Sequence, residues 1–313
     1  MNEELELELI ERVKKDPFYL KCVDEQTEEI CLAAVKETGY ALQFVKEQTK
    51  SICFEAVKRG GEGLEFVKDQ TEDICLEAIK HNPYAIRHVK NKTENLCLFA
   101  VKLNGEALRH VEDQTEEMCL EAVRQNPFNL KLVRNQTERV CLEAVKKSGR
   151  VIKYVKEQTH DVCLEAVKHN DVPAGHVIEY VEDQTEDICI EAIKHDYTAL
   201  RCVKNQTEKM CLVAVKMNYY AINLVRNVTK KICKTAIESN ANAISYLNLN
   251  NLPISIMVIN FLGKHRYGYK DRVLSTILEK FPNNKKIKNL YTKYNLWKYA
   301  SVNENNSKYL MLK

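Results

Sequence analysis

Cysteine is the residue in this chain whose number and spacing first suggest chemistry. Ten of the 12 cysteines follow one another at intervals of 22 residues, with one interval of 26: Cys31, Cys53, Cys75, Cys97, Cys119, Cys141, Cys163, Cys189, Cys211 and Cys233. Equivalent positions in stacked repeats lie roughly 8 to 10 Å apart, whereas a disulfide needs Cα atoms within about 7 Å. The chain also has no Cys-x-x-Cys pair, the spacing that is typical of a metal site. We therefore predict a small buried side chain in each repeat, and only Cys22 and Cys202 as candidate reactive thiols.

Histidines offer a second possible site, for a metal or a catalytic base. His169, His176 and His195 surround the insertion at 171–175, close to Asp196. The insertion has no established ligand spacing, so a solvated loop is the favoured interpretation. The chain also has no glycine-rich phosphate loop, nucleophile elbow or His-Glu-x-x-His motif. We expect no enzyme, no cofactor and no small-molecule substrate.

These residues belong to an internal repeat that fills most of the 313-residue chain. Each of the ten copies has Thr four residues before the Cys and Ala three residues after it, and one degenerate copy precedes them. The domain prediction is a repeat array over 1–250, with one 26-residue copy at 159–184, followed by a different segment over 251–313. A fixed period of this length is typical of stacked repeats.

Each repeat is predicted to form two short helices. Thr71 is a candidate N-cap for the first, and a proline break follows, so the second runs about from Pro83 to Lys90. Neither helix is long enough to be stable alone, so it must stack on the neighbouring copies. The predicted fold is all-α: an α-solenoid of about eleven stacked 22-residue helix pairs with a helical C-terminal cap.

Charge is unevenly distributed between the array and the last segment. Residues 251–313 contain 12 Lys and Arg against three acidic residues, a net charge of +9, whereas 1–250 has a net charge of −6. Within the array a basic residue stands five positions after most of the cysteines, often three after a Glu, as in Glu77 and Lys80. This spacing favours solvated ion pairs over a phosphate-binding row.

Two variable columns on the second helices are the candidate protein-binding groove. They are large and partly polar, and they change from copy to copy while their neighbours stay fixed. Ordinary packing between repeats is the alternative, but aromatic residues also dominate protein contacts. The candidate residues are Phe44, Phe66, His88, His110, Tyr154 and Tyr180 from one column and Tyr84, Phe128 and Tyr220 from the other.

Basic and aromatic residues also alternate in the last segment. This pattern suits single-stranded nucleic acid or an acidic partner, although a cap helix with a solvated basic face would show it too. The candidate polyanion-binding residues are Lys285, Lys286, Lys288, Lys293, Tyr294, Trp297 and Lys298.

The repeat phrase resembles a known family. Gln-Thr-Glu-x-Ile-Cys-Leu-Glu-Ala-Val-Lys-x-Asn-Pro-Tyr-Ala-Leu-x-x-Val-Lys, present with small changes in about ten copies over 1–250, is similar to a repeat of giant amoeba-infecting viruses related to mimivirus, catalogued as a domain of unknown function. The resemblance implies a viral protein that acts in an infected amoeba or is packaged in the virion. It implies no activity and no functional residues, and the 26-residue copy and 251–313 depart from its pattern.

The composition limits the remaining possibilities. The chain is 45% hydrophobic and 29% charged, which excludes a disordered protein. It has no apolar stretch of about 18 residues, and its acidic start is unlike a signal peptide. We expect an intracellular protein in a reducing compartment, such as the host cytoplasm, a viral factory or the virion. The functional hypothesis is a non-enzymatic scaffold that binds a viral or host protein and no membrane, and the alternative is a nucleic-acid-binding factor that uses 251–313.

Overall fold

The fold is all-helical, as the sequence predicts. The computed structural model describes residues 3–168, 174–265 and 270–297, and every regular element within these ranges is a helix. Helices that are one repeat apart pack against each other in chain order, which is the arrangement of an α-solenoid. None of the described helices is both long and apolar enough to cross a membrane.

Two kinds of helix alternate along the array. The α-helices are α1 Glu3–Lys15, α2 Glu28–Glu37, α3 Lys50–Lys58, α4 Glu72–His81, α5 Glu94–Leu103, α6 Glu116–Gln125, α7 Glu138–Val145, α8 His160–Lys168, α9 Ala174–Ile178, α10 Glu186–His195, α11 Glu208–Met217, α12 Lys230–Ser239, α13 Leu252–Lys264, α14 Lys270–Lys280 and α15 Lys285–Lys293. The 3-10 helices are η1 Pro17–Cys22, η2 Gly39–Phe44, η3 Glu62–Phe66, η4 Pro83–His88, η5 Gly105–His110, η6 Pro127–Leu132, η7 Gly149–Tyr154, η8 Tyr197–Arg201, η9 Tyr219–Leu224 and η10 Ala241–Tyr246. One α-helix and the short helix after it form what we call a layer.

In most layers the second helix is a 3-10 helix, shorter and tighter than predicted, whereas after α8 it is the five-residue α-helix α9. In the fourth layer it is a 3-10 helix that ends at His88, and the N–H of Val89 donates to the Ile86 carbonyl at 3.2 Å. Asn82 both ends α4, through its own N–H, and begins η4, since its side chain accepts from the N–H of Tyr84 at 3.0 Å. Six residues between two such fixed points suit the three-residue turn of a 3-10 helix.

Threonine caps most of the long helices, but Thr71, the N-cap candidate in the sequence, does not cap α4 through its hydroxyl. In eight copies, such as Thr137, the hydroxyl accepts from the amide three residues later. In α4 and α10 it does not, because the hydroxyls of Thr71 and Thr185 donate instead to Asp73 and Asp187, two residues on. The carboxylate at that position accepts the hydrogen bond from the hydroxyl, and in α4 it also accepts one from the Ile74 amide at 3.0 Å.

The chain divides into two compact units, Met1–Val162 and Cys163–Lys313. In the first unit α1 to α7 stack in order, and η1 to η7 stack beside them. The core repeats with the sequence: in the fourth layer Ile74, Cys75, Ala78 and Ile79 are buried from α4, and Ala85, Ile86 and Val89 from η4 and its end. Both helices of this layer therefore contribute apolar side chains to the core.

The second unit combines the last repeats with the segment over 251–313. Its helices α10 to α12 stack in order, α13 packs against α12, and α14 and α15 pack against α13. Tyr291 of α15 is fully buried, and its hydroxyl donates to the Leu274 carbonyl at 2.5 Å. The predicted helical cap is confirmed, with α13 covering the last repeat.

Candidate interaction surface

The cysteine series is buried and holds no surface chemistry. All twelve cysteines are free thiols, and the ten in the series are at most 4% exposed. Burial away from water disfavours the thiolate and raises the pKa of Cys119 and Cys141 to about 11. Of the two cysteines outside the series, Cys22 is exposed, whereas Cys202 is half-buried and burial raises its pKa as well. Cys22 is therefore the better candidate for a reactive thiol.

A row of glutamines, which sequence reasoning missed, joins successive layers in both units. In the first unit Gln136 is representative: its Nε2 donates to the carbonyls of Leu130 and Tyr154, at 3.2 and 2.9 Å, and its Oε1 accepts from the N–H of Lys156 at 2.9 Å. The same contacts recur at Gln26, Gln48 and Gln114 and, in the second unit, at Gln184 and Gln206. The signal was visible, because Gln precedes the Thr in eight of the ten copies.

Basic side chains close the same edge of the stack. Lys46 Nζ donates to the carbonyl of Asp24 in the layer before at 2.8 Å, and Lys90 donates to that of Lys68 at 2.9 Å. Arg134 makes the equivalent bond through its guanidinium. This edge is therefore occupied by hydrogen bonds within the protein.

The long helices present a surface of ion pairs. Glu55 and Lys58 are 3.1 Å apart and Glu77 and Lys80 are 3.5 Å apart, so the predicted pairing three residues apart is confirmed. At the helix starts Glu116 accepts from the Thr137 hydroxyl and pairs with Arg139 of the next layer. The hydrogen bond from Thr137 and the nearby Arg139 lower the pKa of the Glu116 carboxyl.

Aromatic pairs run along the short helices of the first unit. Four pairs meet edge to face, and each joins residues 26 apart in sequence: Phe18 with Phe44, Tyr40 with Phe66, Tyr84 with His110 and Phe128 with Tyr154, at centroid distances of 5.9, 6.0, 6.1 and 6.4 Å. We call these eight residues the aromatic strip. Each pair takes one residue from each variable column, so the two columns form one surface rather than two.

The aromatic strip is partly open to solvent. Phe18 is 43% and Tyr40 37% exposed, and the other six residues are half-buried. Polar contacts hold the rings in place: the Tyr84 hydroxyl donates to Glu106 Oε2 at 3.1 Å and accepts from Asn104 Nδ2 at 3.3 Å. The strip therefore offers large, oriented apolar side chains on a fixed backbone.

The two histidines of this surface favour the neutral form. His88 Nδ1 lies 3.8 Å from Glu65 Oε2, and its other ring nitrogen is 2.7 Å from Arg87 Nε. Partial burial, and then Arg87, lowers the pKa of His88. Burial lowers the pKa of His110 too, followed by the charges of Arg109, Arg87 and Lys92.

The candidate residues of the second unit form a separate group. Tyr220 stacks on Tyr219 at 4.4 Å and contacts Tyr246 at 5.1 Å. Tyr180 is 48% exposed.

The candidate polyanion residues are divided between surface and interior. Lys285, Lys286 and Lys293 are exposed, Lys288 is half-buried, and Lys298 lies outside the described residues. Tyr294 is committed to packing: its hydroxyl donates to Asn260 Oδ1 at 3.1 Å, and its ring lies against Gly263. Trp297 is half-buried, and its Nε1 donates to the Thr292 hydroxyl at 3.2 Å.

The histidine cluster around the insertion is only partly described, since His169 and 171–173 lie outside the described residues. Among its described members, His195 is 3.5 Å from Glu191, and Asp196 caps η8 by accepting from the Thr198 amide at 2.9 Å. The described ranges contain no group of three His, Cys, Asp or Glu side chains placed to hold a metal. The chain matches no protein-family model, no curated protein and no solved structure.

Proposed function

We propose that the protein is a non-enzymatic scaffold of a giant virus that binds a viral or host protein on the aromatic strip. The four aromatic pairs carry this proposal, because they place large side chains at one register along the first unit and leave them partly exposed. Aromatic residues that are rigid and already oriented lose little freedom on binding and dominate the energy of protein interfaces. The viral assignment rests on the resemblance of the repeat phrase.

The other surfaces of the first unit support this choice by exclusion. The long helices present paired charges, and each exposed pair contributes little to binding or stability. The glutamine edge has its polar groups bonded within the protein, so it offers few free donors or acceptors. The side chains of the aromatic strip differ from layer to layer, which suits an extended partner whose successive residues contact successive layers.

Free thiols support action in a reducing compartment. Twelve cysteines without a disulfide are typical of proteins in such a compartment and unusual in secreted proteins. The host cytoplasm, a viral factory and the virion interior all meet this condition.

Affinity capture from infected amoebae tests the proposed function. The full chain, a Phe18→Ser/Tyr40→Ser variant and a Leu103→Ser variant would serve as baits, and Leu103 is the matched control because it is 45% exposed on α5. Loss of two aromatic contacts of about 1 to 2 kcal/mol each should lower recovery at least about tenfold. The control should recover the same partner as the unchanged chain. Equal recovery by both variants, or no specific protein, would contradict the proposal.

A second candidate function is nucleic-acid binding through α15. The observation in its favour is that Lys285, Lys286 and Lys293 are exposed on one helix, in a segment of net charge +9. Titration of single-stranded RNA and DNA at increasing salt tests it, with Lys285→Glu/Lys286→Glu as the variant. Glutamate is favourable at a helix start, so the variant should fold. Binding that is absent, or that does not change in the variant, rules this function out.

A further inference from the structure

A row of basic residues accompanies part of the aromatic strip. Arg87, Arg109, Lys131 and Lys153 are 22 residues apart and therefore occupy the same position on η4, η5, η6 and η7. All four are exposed. The same position in the three earlier layers holds Lys21, Gln43 and Glu65. We call these four residues the basic row.

The basic row is poorly neutralised. Arg109 pairs with Glu106 at 3.3 Å, and Lys153 lies 4.9 Å above the ring of Tyr154. Lys131 has no ion pair or hydrogen bond from its side chain to any described residue. Arg150, the exposed residue after the break in the seventh layer, likewise has none within the described part of the chain. Among the described residues Glu106 is thus the one carboxylate in an ion pair with the row, while Glu62 and Glu65 lie near its Arg87 end, where they act on His88 together with Arg87.

The basic row lies beside the rings rather than on a separate face. Arg87 and Arg109 both act on His110, whose ring contacts Tyr84 at 6.1 Å. Lys153 contacts Tyr154, the partner of Phe128. Cations and apolar rings therefore alternate across the same four layers.

Building on the scaffold function proposed above, we propose that the basic row and the two aromatic pairs beside it bind an extended acidic peptide segment of the partner. Layers roughly 8 to 10 Å apart match one three-residue turn of an extended polyproline II helix, which rises about 3.1 Å per residue and places every third side chain on the same face. A partner with Asp or Glu at about every third position, and large apolar side chains between them, would place a carboxylate at each cation. Arginine suits this role because its guanidinium can form two parallel hydrogen bonds to one carboxylate.

Single-stranded nucleic acid fits this surface less well. The rings of Tyr84, His110, Phe128 and Tyr154 already meet edge to face and are half-buried, so their flat faces are not open to stacking bases. The negative net charge of the array also opposes the approach of a long polyanion. A short acidic peptide carries fewer charges and uses the ring edges as apolar contacts.

Fluorescence anisotropy with the full chain tests the peptide proposal. The probe is a labelled peptide of about ten residues, which spans four layers at about 3.1 Å per residue as a polyproline II helix, with Glu at every third position and Leu or Phe between. The same peptide with Gln for Glu measures the contribution of charge, and a single-stranded DNA of equal charge is the competitor.

Two charge-reversal variants distinguish specific binding at the basic row from general electrostatic attraction to the protein. Lys131→Glu/Lys153→Glu changes the basic row, and Lys58→Glu/Lys80→Glu makes the same change in net charge on the ion-paired long helices. Each reversal should cost about 1 kcal/mol or less of binding free energy, so the affinity of the first variant for the Glu peptide should fall about tenfold. The second variant should weaken it less than about twofold.

The outcomes distinguish this inference from the scaffold function. Equal affinity for the Glu and Gln peptides, equal weakening by both variants, or stronger binding of DNA at the basic row would overturn the acidic-peptide proposal. If partner capture still depends on Phe18 and Tyr40, the scaffold function survives that result. If capture fails while the peptide binds as expected, the scaffold function fails and the binding site stands.

Discussion

At the residue scale, the glutamine that precedes the N-cap threonine makes hydrogen bonds to the next layer that recur along the stack. Each one satisfies two backbone carbonyls and one amide from two successive short helices, as Gln136 does. A buried backbone group without a partner is costly, so these bonds fix the register of the stack more specifically than apolar packing can. Layers that lack the glutamine, at Lys92 and Val228, must be joined by other contacts.

The glutamine contacts predict a large effect from one substitution. Gln136→Ala leaves the Leu130 and Tyr154 carbonyls and the Lys156 amide without this partner, so the free energy of unfolding in urea should fall by about 2 to 3 kcal/mol. Gln43→Ala is the matched control, because exposed Gln43 donates only to the nearby Tyr40 carbonyl at 2.9 Å. The control should change stability by less than about 0.5 kcal/mol. Similar small losses in both variants would show that the row is not structural.

The buried thiols predict how stability depends on pH. Unfolded Cys141 loses its proton near its ordinary pKa of 9.0, but the folded thiol does so only near 11. The folded state keeps a proton that the unfolded state releases, so its stabilisation is complete below pH 9.0 and is lost as the pH rises toward about 11.

Denaturant titrations across that pH window provide the measurement. Cys141→Ala should reduce the fall in unfolding free energy with pH, whereas Cys22→Ala, which removes an exposed thiol, should leave it as in the unchanged protein. Identical pH slopes in all three proteins would contradict the buried series.

At the element scale, the fold was readable from the sequence because three signals agree. The 22-residue period, the threonine before each long helix and the break after it locate every layer, and the structure confirms the helical stack. The inward residues of the short helices also follow from apolar periodicity. Propensity could not distinguish a 3-10 helix from an α-helix, since the difference depends on caps such as Asn82 and Val89, which have only six residues between them.

The interaction surface was less readable, for a geometric reason. The variable columns that contain Tyr84 and His110 are visible in the sequence. Which residue of one column contacts which residue of the other depends on the offset between layers. A residue meets the one 26 positions later rather than 22, which no periodicity argument reveals. The roles of Gln136 and Lys90 were missed for the same reason, because their partners lie in neighbouring layers.

The break between the two helices of a layer predicts an effect that the repeat pattern alone would not. Proline or a larger residue occupies the position of Gly39 in several layers, yet a Cβ at Gly39 would collide with the Ala56 carbonyl and the backbone of Gly63. Gly39→Ala should therefore lower the free energy of unfolding by about 1 to 3 kcal/mol through overpacking.

The control for this substitution lies in the same layer. Glu37→Ala, at an exposed position of α2, should change stability by less than about 0.5 kcal/mol in the same urea titration. A neutral Gly39→Ala would mean that the two layers are less closely packed than the structure shows.

At the scale of the whole molecule, charge is unevenly distributed along the chain. The last segment has a net charge of +9 and the array −6, but within the array the cations of the basic row stand together on η4 to η7. The net charge of the array therefore hides a local surface of opposite sign. Two of the four aromatic pairs lie on the same helices, and the strip continues onto the earlier short helices, which is why we place partner binding there rather than on the more evenly charged long helices.

We propose that a protein partner docks on the aromatic strip of the first unit, and site-directed photo-crosslinking provides the direct test. A benzophenone amino acid replaces Tyr40 in one protein and Leu103 in another, both exposed side chains of this unit, and each is irradiated in lysate from infected amoebae. We predict a discrete covalent adduct to one protein from the Tyr40 position and none from Leu103. Adducts of equal yield from both positions, or from Leu103 alone, would contradict docking on the aromatic strip.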